Sequence, residues 1–510
     1  MKRATAEPDA EKRMQKAFEE LRGHIQEHGA HEVVELCMDT LCVADTRESM
    51  RSYPPWFLLR LIEWAFRYGR SQPARGKRFT EEELAKLVAL IIRMNDEGEA
   101  LTTRATPHAL VKNMAHEQRA LQLRKPRCDA LARNLVLFLD LNRSSRIPDR
   151  FLKLTGMPIE GFLRLACALS FYFEKSVSSF VTAQDVSRLR RECERYAAQF
   201  LASLSLPVEE VRGFLAGRPQ PSRSWFYQLH KESELMRKPL LGSGGRFRPY
   251  HRPLLFRSLE TYAYDTLRED DAGTLMEPFR EAFQEYVGAS IEDSGLTHVK
   301  EDELRKYLPS GSKVVDHLIP LSDANVLIED KAVEMHPLGR VSWLAEVLEG
   351  KLKSSIIKGI VQGNDVASAL AATSQVGRVS LSGGPWYLLI VTYKHLYVAA
   401  GSYLEHIIGT DGMAHVGGKV GSRPTIPHDN VFFLSVAEFD SLMGCVQSGY
   451  ELAAILNRAR DKYSRSAVWV FDQVLEEYGD ALKCPRHLGE AMRRHLVAGE
   501  SDASVRQRQR

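Results

Sequence analysis

Three charged residues sit inside an otherwise apolar run. From Val326 to Val333 the chain reads VLIEDKAV, with Glu329, Asp330 and Lys331 at its centre. Burying charge in a strand is costly unless each group is paired or bound to a metal, so this run limits what the surrounding chain can be. A wider stretch, Lys313–Met335, gives the context: KVVDHLIPLSDANVLIEDKAVEM. Two apolar segments flank a polar turn, which predicts a hairpin. Side chains alternate along a strand, so Glu329 and Lys331 share one face. A turn centred on Ser322 and Asp323 places Asp316 opposite Glu329. Two carboxylates and one ammonium then converge, a group able to hold a hard divalent cation beside a phosphate.

At 510 residues the chain is long enough for two or three domains. Its 44% hydrophobic and 26% charged residues are ordinary for a soluble globular protein, and a net charge of +3 says little about partners. The charged N-terminus, MKRATAEPDAEKRMQK, lacks the apolar core of a secretory signal. The apolar run Trp386–Ala400 is too short for a membrane span and contains Lys394. No two of the seven cysteines form a CxxC pair, which favours reduced thiols and a cytoplasmic setting over a zinc site or a disulfide framework.

From about residue 10 to 216 the apolar spacing is helical. Met14, Phe18, Leu21 and Ile25 recur at three and four residues, and Trp56–Tyr68 follows two prolines. Thr80 and Glu83 form a capping box that opens a helix. Further helices are expected at 106–123, 127–141, 158–174, 183–204 and 207–216. The basic stripe of Val186–Tyr196 reads as a solvated face. Residues 1–216 are therefore expected to form a helical domain.

Gly217–Ser224 (GRPQPSRS) marks a candidate boundary. The following connector, 217–253, is basic and aromatic. Arg218–Arg257 holds nine Lys and Arg against two acids, with Trp225, Phe226, Tyr227, Phe247 and Tyr250 interleaved. Cations neutralise phosphates and aromatics stack on bases, which makes Arg246 and Arg248 candidate nucleic-acid contacts; a solvated connector with its aromatics in a core is the competing reading. Gly242–Gly245 lacks the Gly-Lys-Ser/Thr ending of a P-loop and reads as a turn.

Leu254–Ile291 is helical, with Glu277, Glu281 and Glu285 on one stripe. After the hairpin, Trp343–Ala372 is helical and Pro385–Ala400 is a central strand. Gly409–Asn430 is a loop, Val431–Leu434 a last strand, and Ser435–Glu438 a second capping box. Helices at about 448–461, 465–478 and 485–498 follow, then a disordered tail, Ser501–Arg510.

The order helix, strand with Asp316, strand with Glu329-Asp330-Lys331, helix, strand resembles the core of the PD-(D/E)XK nuclease superfamily over about residues 255–420. The resemblance implies an α/β chain, mostly α overall: a large helical N-terminal domain, a restriction-endonuclease-like αβββαβ core at 254–430, and C-terminal helices at 431–510 packed on it. It implies a metal-dependent endonuclease acting on nucleic acid, DNA rather than RNA. Mg²⁺, with Mn²⁺ able to substitute, would be held by Asp316, Glu329, the main-chain carbonyl of Asp330, and Glu285 from the preceding helix. Lys331 would stabilise the transition-state charge, Gln362 would serve from the following helix, and Lys358 one turn earlier would meet phosphate. Such a nuclease fused to a helical region suits an effector of bacterial antiphage defence, which would make residues 1–216 a sensory or regulatory domain through which a protein trigger or a second copy acts. The residue before Asp316 is Val315 where the motif has proline, so the match rests on Asp-x(12)-Glu-x-Lys and its context. A non-catalytic nucleic-acid-binding or scaffold protein with a degenerate nuclease fold is the alternative. Asp316–Ser322 also resembles the DHxxPLS start of an HNH nuclease with His317 as base, but a strand follows where that family has a loop and helix. His317 is expected to point away from the metal, and His336, His395 and His406 to be structural.

Overall fold

The computed structural model describes residues 6–43, 51–70, 78–102, 105–122, 125–144, 146–219, 222–270, 272–409, 424–463, 470–481 and 484–497. The expected tail 501–510 and most of the expected loop, residues 410–423, lie outside the described residues. The described chain is mostly helical, with small sheets between the helices. No helix among the described residues is long and apolar enough to cross a membrane. All seven cysteines are free thiols.

The chain divides into two compact units. The first comprises Met1–Arg104, Asn113–Leu131 and Asp149–Leu267; the second comprises Ala105–Lys112, Ala132–Pro148 and Arg268–Arg510. These bounds differ from the expected division at 216 and 253. The basic-aromatic segment is no free connector but part of the first unit, because its aromatics fill that unit's core. Trp225 stacks on Phe18 with centroids 4.1 Å apart, and Tyr250 is fully buried.

The first unit carries a four-stranded sheet of β1 (Val181–Thr182), β2 (Ser205–Pro207), β3 (Leu240–Ser243) and β4 (Arg246–Pro249), ordered β1-β4-β3-β2. Sheet pairing overrides local helical spacing here: Ser205–Pro207 runs parallel to β3, so the helix expected from 207 starts only at Val211. The expected helix 183–204 breaks at Arg190, whose backbone is extended at φ −144° and ψ 93°. The expected Thr80 cap is present, its Oγ1 accepting from Glu83 N at 3.4 Å.

The second unit is built on a five-stranded sheet. Its strands are β5 (Val299–Lys300), β6 (His317–Pro320), β7 (Asn325–Lys331), β10 (Trp386–Thr392) and β11 (Val431–Ser435), with β8 (Gln375–Val376) and β9 (Val379–Ser380) forming a separate hairpin. The order is β11-β10-β7-β6-β5. β5, β6 and β7 form an antiparallel meander, and β10 runs parallel to both β7 and β11. Helix α1 (Ala272–Asp293) precedes the meander, α2 (Lys358–Leu370) lies between β7 and β10, and α3 (Val436–Gln447) follows β11. Every residue of β10 is buried, as expected of a parallel strand covered on both faces. β10 stops at Thr392, short of the expected Ala400, and Tyr397 beyond it adopts φ +54°.

Two glycines set how closely α2 approaches the sheet. A Cβ on Gly363 would lie 2.7 Å from Leu388 Cδ2, and one on Gly359 would lie 3.0 Å from Ile390 Cδ1 and 3.6 Å from Glu329 Cγ. Backbone contact at these points brings the intervening Gln362 to Glu329. Ser435 caps α3 in a complete capping box with Glu438, as its sequence predicts.

Candidate active site

The hairpin register follows from its turn. His317 pairs with Ile328, Leu318 with Leu327 and Pro320 with Asn325, so one step further out position 316 faces 329. Asp316 lies just before β6, and its N–H donates to Ile328 O at 3.1 Å. Its carboxylate is held on both oxygens. Oδ2 accepts from Asp330 N at 2.6 Å, and Oδ1 accepts from Gln284 Nε2 at 2.7 Å.

Glu329 is 2% exposed in the middle of the sheet. Lys331 Nζ donates to its Oε1, and Gln362 Nε2 donates to its Oε2 at 3.0 Å. The same Gln362 amide also donates to Val314 O, two residues before Asp316. One α2 side chain thus ties the Asp316 segment to Glu329. Burial raises the Asp316 carboxyl to about 7, helped by the charge of Asp330. Burial likewise raises Glu329 to about 7, helped by the charge of Asp316. Asp330 raises Asp316, Asp316 raises Glu329, and the Lys331 ammonium lowers both, which leaves the site short of positive charge.

The other face of β7 differs in chemistry. Asp330 points away from Glu329 and meets His317 Nε2 at 3.1 Å, and the His317 ring stacks on His298 at 4.9 Å. Burial raises Asp330 well above the carboxylate range and lowers His317 to about 4. His317 therefore packs under α1, away from the Glu329 face.

Glu285 does not join the site. It pairs with Arg143 at 2.7 Å in a cleft of about 290 Å³ shared with Asn142, Pro278 and Glu281. The α1 residue that reaches Asp316 is its neighbour Gln284, which also approaches Glu301 Oε2 at 3.4 Å. Gln284 and Glu301 escaped the sequence reading. Gly288 was the available signal: one turn on from Gln284, it lets α1 approach His317 and so marks the row that faces the sheet.

The nucleic-acid expectations divide. Arg248 is not a free contact, because it pairs with Asp39 at 2.6 Å and Glu35 at 3.0 Å within the first unit. Arg246 is exposed at the β3–β4 turn, its guanidinium 4.8 Å over the Phe180 ring. Lys358 is exposed at the start of α2, one turn before Gln362.

Comparison of the chain with protein-family models, curated proteins and solved structures gives no match. Among the described residues, no group of three or more His, Cys, Asp or Glu side chains gathers as metal ligands. The donors Asp316, Glu329 and the Asp330 carbonyl nevertheless suit a hard cation: all are oxygens, and the two carboxylates are short of a counter-charge.

Proposed function

We propose that the second unit hydrolyses phosphodiester bonds in nucleic acid. The observation that carries this reading is Glu329: buried in the sheet, bonded by both Lys331 and Gln362, and set opposite Asp316 across the hairpin. The order helix, three-strand meander, helix, parallel strand supports it, being the order implied by the resemblance to PD-(D/E)XK nucleases.

In this reading Asp316, Glu329 and the Asp330 carbonyl hold Mg²⁺. When bound, such an ion lowers the pKa of water and polarises the scissile phosphate. The chain's own residues supply the rest. Lys331, on the Glu329 face, presents an ammonium where negative charge grows on the phosphate oxygens. Gln362 holds Glu329 in one rotamer, and Gln284 does the same for Asp316, so neither carboxylate reorganises during reaction.

The test is cleavage of plasmid DNA and of RNA by the purified chain with Mg²⁺ or Mn²⁺, beside Glu329→Ala and Lys331→Ala. Cutting by the wild type, slowed about 100-fold or more in each variant, is expected. Equal cutting by all three overturns the site. Binding without cutting by any of them returns the protein to the non-catalytic alternative.

A further inference from the structure

Within the second unit, a cleft of about 290 Å³ opens between α1 and the segment 141–144. The α1 wall presents Glu281, Gln284 and Glu285, and the opposite wall presents Asn142 and Arg143. That opposite wall is held in place. Phe138 stacks on Phe279 of α1 with centroids 5.6 Å apart. Asn142 Nδ2 donates to Phe138 O at 3.3 Å and to Ser144 O at 2.9 Å, and its Oδ1 accepts from Ser144 N at 3.1 Å. Arg143 therefore projects from a fixed turn while its own side chain stays exposed.

The cleft shares a residue with the candidate active site. Gln284 lines it and donates Nε2 to Asp316 Oδ1 at 2.7 Å. A group seated against Gln284 lies one amide away from Asp316.

Charge decides what kind of group that is. Two carboxylates, Glu281 and Glu285, face one guanidinium, a balance that disfavours a phosphate. A neutral ring with both donors and acceptors fits instead. Arg143 NH2 donates to Glu285 Oε1 at 2.7 Å, and its Nε and NH1 have no partner among the described residues. The Glu281 carboxylate has none either. An ionised carboxylate only accepts, and a guanidinium only donates. Guanine offers two neighbouring donors, N1–H and N2–H, and two neighbouring acceptors, O6 and N7. Adenine, cytosine, thymine and uracil each offer a single donor group. The volume lies just under the roughly 300 Å³ at which small-molecule pockets begin, room for one base and not for a run of them.

We infer that this cleft seats one unpaired guanine of the substrate strand beside the scissile phosphate, with Glu281 reading its N1–H and N2–H edge and Arg143 its O6 and N7 edge. The inference rests on the function proposed above and gives it a base preference. Proteins that read a base in a pocket take it out of the stack, at least cost where it is already unpaired. Single strands and unpaired loops are thus the favoured targets.

The first measurement needs no cleavage. The full chain in EDTA is titrated with GMP, and with AMP, CMP and UMP, which carry the same phosphate. GMP is expected to bind about tenfold or more tightly than the other three. Glu281→Gln and Arg143→Ala are expected to bring all four within about twofold of one another. Both side chains are exposed, so both variants are expected to melt like the wild type. Equal binding of the four nucleotides by the wild type overturns the guanine site, and so does a GMP preference that survives in either variant. Cleavage of single-stranded oligonucleotides with Mg²⁺ is the second measurement. Wild-type cuts are expected beside guanine about tenfold more often than beside other bases, and without preference in Glu281→Gln. GMP selectivity with evenly spread, Glu329-dependent cuts means that the ligand is a free nucleotide, and the strand reading falls. GMP selectivity with no metal-dependent cutting removes the nuclease reading and leaves the base site. Cutting that depends on Glu329 and ignores guanine, with no GMP selectivity, does the reverse.

Discussion

Gln284 Nε2 lies 2.7 Å from Asp316 Oδ1, whereas Glu285, the next residue of α1, turns to Arg143 at the same distance. A step of one residue around a helix is about 100°, so only one of the two can face the hairpin. The amide gives Asp316 a donor and adds no charge to an already crowded pair of acids. Gln284→Leu is therefore expected to slow cleavage roughly 10- to 100-fold, the usual effect of removing a group that orients a ligand. Glu285→Gln, which only frees Arg143 at an exposed site, is expected to cut within about twofold of the wild type. Cleavage rates under saturating Mg²⁺ decide it, and the reverse ranking would restore Glu285 to the site.

Gly363→Ala sets two effects against each other. Replacing a helical glycine by alanine favours the helix by about 1 kcal/mol. The new Cβ, however, would sit 2.7 Å from Leu388 Cδ2 and 2.9 Å from Cδ1, and Leu388 is fully buried in β10 with little space to retreat. Overpacking of this kind costs about 1–3 kcal/mol, so the net expectation is a destabilisation of up to about 2 kcal/mol. Because the same helix carries Gln362 to Glu329, cleavage should fall further than stability alone explains. A urea midpoint at or above the wild-type value would show that α2 has more clearance than the distances imply.

His251 gives the first unit a dependence on acid. It is 8% exposed, its Nδ1 has no partner among the described residues, and burial holds the imidazole at about 3 rather than near 6.5. In the unfolded chain the ring protonates freely below 6.5. The stability tied to its neutral form is thus fully present above pH 6.5 and is lost as pH falls towards 3. Each unit of pH in that window is worth up to about 1.4 kcal/mol, or about 2 kcal/mol between pH 6.5 and 5. His251→Phe keeps a ring of similar shape and removes the titration. Urea unfolding at pH 7 and pH 5 should show a smaller difference for the variant, and equal losses in both proteins would clear His251.

What the sequence made legible was local. The hairpin register followed from alternation and one polar turn, and the Thr80 cap and the Ser435 capping box from four-residue patterns. What it hid depended on partners far along the chain. Arg248 looked like a phosphate contact because Glu35 and Asp39, which hold it, lie some two hundred residues earlier. The segment around Trp225 looked like a connector because its stacking partner is Phe18. Glu285 was chosen over Gln284 because an acidic stripe at every fourth residue is conspicuous, while the packing row is marked only by the single glycine Gly288. The ion pairs of Glu334 with Arg268, Arg340 and Lys394 also draw on separate stretches, and no spacing rule joins them.

A buried ion pair in the second unit offers a sharper stability test than any surface bridge. Arg133 is 5% exposed and Asp440 2%, and Arg133 Nε donates to Asp440 Oδ2 at 2.7 Å. Tyr286 OH donates to the other carboxylate oxygen at 2.7 Å, and His487 Nε2 lies 3.3 Å from that hydroxyl. Burial, then the charge of Asp440, raises the Tyr286 phenol well above its ordinary value, which keeps it a donor. Arg133→Met strands a carboxylate with one neutral donor and is expected to cost about 3–5 kcal/mol. Adding Asp440→Leu removes the stranded charge. The Tyr286 hydroxyl then keeps His487 as a partner, so the double variant should recover most of the loss. Urea unfolding of the wild type, both single variants and the double closes the cycle. A double variant no more stable than Arg133→Met alone would mean that packing around Arg133, not the charge it covers, holds α3 in place.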